Sequence, residues 1–288
     1  MKTVLVTGAG SGLGRATALT LAAQGHIVYA GCQIRPQITD LMIDAEPLED
    51  RLRPFRLDLT RDIDIRAAAS LCASERVDVL FNNAGIIEAG PLLEQAMAEI
   101  REVFETNVFR TLDLTQAVVT RAFLPTHKGR VVFMSSISGL VPVTWVGAYS
   151  ASKHAIEAIA GTLRLELAAS GIEVAVIEPE LLDTGFDRRA VEAHVDRYGH
   201  SPAFTGGEKP LARLDQAHRA ADVIEEICSV VLGDDLAYRT LLPAEGRLKA
   251  HGRQTAIWAW SSTPAGQPFE VWVPVDRYGE WRVAQWAE

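Results

Sequence analysis

The first thirty residues restrict the fold more than any other stretch. Residues 3–7 read as a strand that stops at Gly8. Gly8-Ala9-Gly10-Ser11-Gly12-Leu13-Gly14 follows, then a helical pattern from Leu13 to Gln24. Gly25 ends that helix, and Ile27-Val28-Tyr29-Ala30 is a second strand. Strand, glycine loop, helix and strand within about 30 residues make a βαβ unit, whose crossover sets the two strands parallel. A glycine loop at the first strand–helix turn is where a pyrophosphate sits against backbone N–H groups and the helix N-terminus. The spacing is Gly8-x-x-x-Gly12-x-Gly14, not a strict GxGxxG. A merely flexible connection is the competing reading, and the strand–loop–helix context weighs against it.

The rest of the chain repeats the alternation. Leu57-Asp58-Leu59-Thr60 closes a third strand. Asp58 either hydrogen-bonds an adenine amine or caps the helix that starts near Arg61, and the two roles are compatible. Val77 to Phe81 is a fourth strand, continuously apolar, as expected where helices cover both faces of a parallel sheet. It runs into Asn82-Asn83-Ala84-Gly85, whose small Ala-Gly pair lets backbone approach a ligand. Pro91 opens a long helical region reaching Phe123, with Asn107 inside it. Asparagine is mildly unfavourable in mid-helix, so Asn107 is either simply exposed or there for a reason. Val131 to Met134 is a fifth strand and Ile172 to Ile177 a sixth; a helix from Ala221 to Leu232 precedes a seventh at Tyr238 to Leu242. Six alternations predict an α/β fold with a doubly wound parallel sheet, in one domain over residues 1–250. Leu181 to about Leu214 mixes Gly, Pro and both charges and reads as a mobile segment on the substrate side.

Chemistry concentrates between Gly129 and Glu166. Ser135 and Ser136 sit where the fifth strand ends, and a helix through Tyr149 and Lys153 puts both side chains on one face. Ile156, Ile159, Leu163 and Leu167 continue it as an apolar stripe. A free phenol is a poor acid or base at neutral pH; an ammonium one turn away favours the phenolate. A nearby serine hydroxyl can hold a carbonyl or alcohol oxygen in line with the phenol. A surface tyrosine beside a solvated lysine is the plainer reading. With five tyrosines and five lysines in the chain, about 0.1 such pairs arise by chance, so the pair alone does not decide.

Composition removes other classes. The net charge is −9 with no Lys/Arg run, which argues against nucleic acid or an anionic membrane as partner. No apolar run approaches the ~20 residues that span a bilayer. Met1-Lys2-Thr3 leads straight into Val4, with no secretory core segment. Cys32, Cys72 and Cys228 are odd in number and far apart, and read as reduced thiols of a cytoplasmic protein. No histidine spacing suggests a metal, and there is no GxSxG elbow for serine hydrolysis. A small molecule remains as the expected partner.

Taken together, the residues resemble the short-chain dehydrogenase/reductase family of the Tyr-x-x-x-Lys type. The matching pieces are Thr7-Gly8-x-x-x-Gly12-x-Gly14, Asp58, Asn82-Asn83-Ala84-Gly85, Asn107, Ser136, Tyr149 and Lys153, in the family's order and over residues 1–245. The resemblance implies a Rossmann-type domain and an NAD- or NADP-dependent oxidoreductase interconverting an alcohol and a ketone or aldehyde, assembled as a homodimer or homotetramer. It implies Tyr149 as general acid or base, Lys153 as its partner, Ser136 holding the substrate oxygen and Asn107 anchoring a relay water. By the same resemblance Gly8, Ser11, Gly12, Leu13 and Gly14 cradle the pyrophosphate. Gln33, Asp58 and Leu59 then face the adenosine, and Asn83, Ala84 and Gly85 line the cofactor. Pro179, Leu182 and Thr184 take the nicotinamide side. Ile87, Val143, Trp145 and Phe186 are candidates to line an apolar substrate pocket.

Three features depart from the pattern. The tip of the second strand, Gly31-Cys32-Gln33-Ile34-Arg35, lacks the acidic side chain that favours NAD. Arg35 either reaches a 2′-phosphate or is a solvated loop residue, so the choice between NAD and NADP stays open. Glu180 stands where the family often has glycine, which brings the local backbone and the nicotinamide contact into question. Five of the six tryptophans fall at 258–286, and residues 251–288 read as an added hairpin of strands 256–260 and 269–275. A dinucleotide-binding scaffold without turnover, and a cofactor-retaining epimerase or dehydratase, are the competing functions.

Overall fold

The computed structural model describes residues 1–48, 50–186, 190, 217–234, 237–244, 252, 254 and 255, with the backbone of 270–274 and 281–285. Seven strands form one parallel sheet. They are β1 (Thr3–Thr7), β2 (Ile27–Cys32), β3 (Leu52–Arg56), β4 (Val79–Asn82), β5 (Gly129–Met134), β6 (Ile172–Pro179) and, after two short strands, β9 (Arg239–Leu242). Their spatial order is β3-β2-β1-β4-β5-β6-β9. The order reverses between β1 and β4, and a doubly wound sheet opens its crevice at such a point.

The alternation of buried side chains along each strand fills two cores. Val4, Val6, Val28, Phe81, Val132 and Ile177 face one helical layer: α1 (Gly12–Ala23), α2 (Arg35–Ala45) and α7 (Ile224–Leu232). Leu5, Tyr29, Leu80, Val131, Phe133 and Val176 face the other: α3 (Asp62–Ser74), α5 (Thr111–Val118) and α6 (Gly147–Glu166). Both faces are covered, so the strands are apolar throughout rather than alternating with polar residues.

Local details adjust the expected boundaries. The strand placed at Leu57–Thr60 ends at Arg56, because Asp58 starts a turn there. The helix expected from Pro91 begins at Met97 (α4, Met97–Phe104); before it, the Pro91 carbonyl accepts the Glu94 and Gln95 N–H groups in a turn. From α4 to α5 the helix is continuous but widens to π geometry over Glu105–Arg110, where Asn107 lies. Two short parallel strands, β7 (Leu182–Asp183) and β8 (His218–Arg219), bracket residues 187–216; most of the expected mobile segment lies outside the described residues. In the tail, β10 (Glu270–Pro274) pairs antiparallel with β11 (Trp281–Gln285). The predicted strand 256–260 lies outside the described residues. No helix among those described is long and apolar enough to cross a membrane, and no metal-binding cluster occurs among them.

Candidate active site

The crevice above β1 and β4 is built from close backbone contacts. Gly8 and Gly12 adopt φ of +64° and +54°, a region that side-chain-bearing residues rarely enter. A Cβ on Gly14 would lie 2.3 Å from Asn83 Nδ2 and 2.4 Å from the Gly8 carbonyl. Asn83 in turn donates from Nδ2 to the Thr7 carbonyl (2.9 Å), and Thr7 Oγ1 accepts the N–H groups of Asn83 (3.0 Å) and Ala84 (2.9 Å). The glycine loop and the Asn-Ala-Gly turn are therefore one unit, clamped by Thr7.

That unit suits a dinucleotide. Ser11, the N-cap of α1, makes no side-chain cap bond, so the helix's first N–H groups remain for an anion. Near Gly12 the nearest atom a Cβ would meet is Thr184 Cβ, at 3.7 Å, so β7's end faces the loop across the crevice. Thr184 Oγ1 accepts the Phe186 N–H (3.2 Å). Gln33 is exposed at the tip of β2, and its N–H donates to Gln37 Oε1 (3.1 Å). The same Gln37 side chain covers Gly10, where a Cβ would sit 2.4 Å from it. Gln37 and Thr7 shape the crevice, and sequence reasoning assigned neither a role; Gln37 Oε1 also accepts the Ile34 N–H at the start of α2 (3.3 Å), a bond with no one-dimensional signature, since Ile34 has no side-chain acceptor to complete a capping box.

Asp58 does not cap α3, whose N-cap is Arg61 without a side-chain bond. Its Oδ1 accepts from Thr60 N (3.1 Å) and Thr60 Oγ1 (2.7 Å), the turn that a short acidic side chain makes with its own following backbone. Leu59 is buried in the core beneath it.

Asn107 is placed by the wide helical turn and is buried. Its Nδ2 donates to the Ile86 carbonyl (2.9 Å) and to Ser152 Oγ (3.0 Å), and its Oδ1 accepts the Ile86 N–H (2.8 Å). This is the reason a mid-helix asparagine needs, and π turns recur at functional sites for such re-aiming. A Cβ on Gly85 would lie 3.2 Å from Asn107 Oδ1 and 3.7 Å from Lys153 Nζ, so Gly85 separates the two.

Tyr149 and Lys153 are both buried on α6. Lys153 Nζ donates to the Met134 carbonyl at the end of β5 (2.8 Å) and lies 5.5 Å from the Tyr149 ring centroid. Burial lowers the Lys153 pKa to about 8, against an opposing pull from Glu157. Ser136 Oγ accepts the Ser138 N–H (3.1 Å) and points toward the Pro179 carbonyl (3.5 Å). Asn107, Gly85, Lys153, Tyr149 and the β5 end thus form one site.

The candidate substrate side surrounds it. Phe186 packs against Tyr149 at a tilt, ring centroids 6.1 Å apart. Trp145 has φ of +68° and accepts the Gly90 N–H (2.7 Å), tying the loop after β5 to the loop after β4. Ile87 and Val143 are half-buried on those two loops. Glu180 sits in ordinary backbone: its N–H donates to the Leu242 carbonyl (2.7 Å), extending the β6–β9 ladder, and its carboxylate lies 3.4 Å from His218 Nε2. The position makes no demand for glycine, so its replacement leaves the ladder intact. Burial pushes the Cys32, Cys72 and Cys228 thiols up to about 11, 12 and 12, which leaves them inert.

Comparison with known proteins bears on what this geometry is. The family model described as short chain dehydrogenase matches residues 2–194. The chain belongs to the short-chain dehydrogenase family. It is 35% identical over 231 residues to an uncharacterized oxidoreductase of Escherichia coli, 76% of this chain and 81% of that one. It is 34% identical over 187 residues to a 3-ketodihydrosphingosine reductase of Bacteroides thetaiotaomicron, covering 64% of this chain and 65% of that one. A crystal structure of a short-chain dehydrogenase from Streptomyces avermitilis superposes with a TM-score of 0.75 at 29% identity, over 90% of this chain and 93% of that one. NAD⁺-bound xylitol dehydrogenase superposes at 0.73 with 25% identity, over 84% and 97%. As a short-chain dehydrogenase, the protein is an NAD(P)-dependent oxidoreductase acting on a small molecule.

Proposed function

We propose that this short-chain dehydrogenase interconverts an apolar alcohol and its ketone, with Tyr149 moving the proton. The observation that carries the reading is the junction of Tyr149, Lys153 and Asn107 at the end of β5, beside the Phe186 ring. Bound NAD or NADP supplies or accepts the hydride at its nicotinamide ring. In the reducing direction Tyr149 Oη gives its proton to the carbonyl oxygen as the carbon is reduced; in oxidation the phenolate takes it back. Lys153 favours the phenolate by its charge. Ser136 Oγ holds the substrate oxygen, and Asn107 keeps the 85–86 backbone beside Lys153 and anchors a relay water. Leu13, Gly14, Asp58, Leu59, Ala84, Pro179 and Leu182 complete the cofactor walls.

An apolar substrate is supported by Ile87, Val143, Trp145 and Phe186 around the tyrosine. The printed name of the Bacteroides thetaiotaomicron relative, a keto-compound reductase, is in keeping with a ketone. A homodimer or homotetramer is supported by exposed apolar side chains along the helix bearing Asn107: Met97 and Phe109 are each 57% exposed. Ile100 and Phe104 line a groove of about 650 Å³ together with Phe109. Light scattering at micromolar concentration is expected to give at least twice the chain mass. Residues 251–288 are read as an appendage to the 1–250 domain.

The test of the chemistry is Tyr149→Phe. It removes one oxygen from a packed ring and is expected to lower turnover of a ketone panel at least about a thousandfold. NADH or NADPH binding, followed by nicotinamide fluorescence, is expected to stay within about threefold of the parent. Turnover that survives the substitution refutes the role of Tyr149.

A further inference from the structure

Behind Lys153, on the side away from the crevice, lies a polar cluster that the reaction above does not use. Glu157 follows Lys153 by one turn on α6, on the same stripe as Tyr149. Opposite it, Val176 and Glu178 of β6 and Arg239 of β9 share the sheet face that α6 covers; Val176 pairs in register with Arg239. Arg239 Nη2 lies 2.9 Å from Glu157 Oε2, and its Nη1 donates to Glu178 Oε1. The Glu178 side chain is 1% exposed and that of Glu157 9%. Both Glu157 oxygens and Glu178 Oε2 are buried without a well-aligned hydrogen-bond partner, as are Ser135 Oγ and the Tyr238 hydroxyl beside them. One guanidinium, itself partly exposed, serves two buried carboxylates.

We propose that Glu157 is a positioning residue for Lys153: its carboxylate, held one turn behind the ammonium and braced by Arg239 and Glu178, keeps Lys153 charged inside the protein and thereby sets the alkaline limit of the Tyr149/Lys153 pair. The inference rests on the reading of Tyr149 and Lys153 given above.

The groups facing Glu157 come from every element around it. On α6 they are Lys153 and His154, with Arg164 further along, stacked 5.1 Å from the Tyr238 ring centroid. On β6 there is Glu178, on β9 Arg239 and Tyr238, and after β5 the Ser135 hydroxyl. Burial and then the charge of Glu157 push Glu178 up to about 8, and burial raises Glu157 as well. The two carboxyls therefore titrate as a pair, and the negative charge the pair keeps beside Arg239 is what Lys153 feels. Removing that charge leaves burial to act on Lys153 unopposed, and its proton departs at lower pH.

The experiment reads Lys153 directly and needs no substrate. The full chain is labelled with ¹³Cε-lysine and titrated by NMR, the Lys153 resonance being assigned by its loss in Lys153→Met. The midpoint in the parent is expected near 8. Glu157→Gln is expected to lower it by about one pH unit, an opposite charge within a helical turn being worth that much in a buried site. Glu178→Gln mimics the protonated partner and is expected to move it by less than about half a unit. An unmoved midpoint in folded Glu157→Gln overturns the proposal.

If that variant does not fold, Glu157→Met, which fills a similar volume without a charge, takes its place and is expected to lower the Lys153 midpoint by the same amount. An unmoved midpoint in folded Glu157→Met overturns the proposal. Once turnover is measurable, the alkaline limb of kcat/KM is expected to shift with the NMR midpoint, with KM for the cofactor at pH 6.5 unchanged. A limb that stays put overturns the catalytic role of Glu157. Survival of turnover in Tyr149→Phe instead refutes the reading beneath it, while the NMR result stands or falls separately.

Discussion

Glu178→Gln is expected to make the protein more stable as the pH rises. The side chain is 1% exposed, and its folded pKa is about 8, against 4.5 for a free carboxyl; burial is the first cause and the charge of Glu157 the second. Between those two values the unfolded chain has lost this proton and the folded chain still holds it. Unfolding then releases a proton, and stability falls by about 1.4 kcal/mol for each pH unit. The ceiling across the window is about 5 kcal/mol. Glutamine cannot ionise and has the shape of the protonated acid. At pH 5 the parent and variant should therefore unfold within about 1 kcal/mol of each other. By pH 8 the variant should lead by about 3–5 kcal/mol, which for a chain of this size is roughly 5–8 °C in Tm. Urea unfolding at pH 5, 6, 7 and 8 gives the gap directly, since Lys153 and the other ionisable groups titrate in both proteins. A gap that does not widen with pH refutes the reasoning. A variant less stable than the parent at pH 8 would mean that Glu178 is ionised and anchored by Arg239.

Lys153→Met should abolish turnover while stabilising the fold at pH 7 by about 2 kcal/mol: roughly 3 gained by removing a buried charge, less about 1 for the lost bond to Met134. The sign follows from the folded pKa of about 8: the deficit is full below that value and fades as pH rises toward 10.5, so the advantage should shrink by pH 10 in chemical unfolding. Gln33→Asp should weaken NADPH binding at least about tenfold and NADH binding little, because it puts a carboxylate where the tip of β2 has none. Equal effects on the two cofactors in a fluorescence titration would place the 2′-phosphate elsewhere.

The parts of this molecule that a reader of the sequence can find are those whose cause is local. The glycine loop announces itself because Gly8, Gly12 and Gly14 lie within seven residues of one strand end. Tyr149 and Lys153 share a face because a helix has 3.6 residues per turn. Asn107 stood out as a mid-helix asparagine, but its purpose needed the Ile86 backbone and a widened helical turn, neither of which has a pattern in one dimension. Of the two roles open to Asp58, adenine contact and cap for α3, the structure removes only the cap: its Oδ1 holds Thr60 instead, a choice that composition alone does not decide. Glu180 put the backbone in question from the family pattern alone, whereas the ladder to Leu242 shows that extended geometry suffices. The Glu157, Glu178 and Arg239 cluster was invisible for a different reason. Its members stand up to 82 residues apart in the sequence and meet only because β6 and β9 lie side by side under α6.

That cluster also explains how α6 can carry its charges. Tyr149, Lys153 and Glu157 lie on one buried stripe, where a hydrophobic helix would place leucines. A lone ammonium there would lose its proton near neutrality, since burial outweighs anything the Met134 carbonyl returns. A lone carboxylate at 157 would be neutralised by the same burial. Each is tolerable beside the other, and Arg239, reaching in from the sheet's edge strand with its side chain 42% exposed, supplies the third charge without being fully desolvated itself. Glu178 then takes the surplus proton rather than add a second negative charge. The arrangement lowers stability relative to an apolar core, as buried ion groups usually do, and it makes a buried ammonium available beside Tyr149. The cost falls on the fold and the benefit on the proton transfer, so Lys153→Met should trade activity for stability, whereas Glu178→Gln, across on β6, should gain stability at high pH while leaving Lys153 in place.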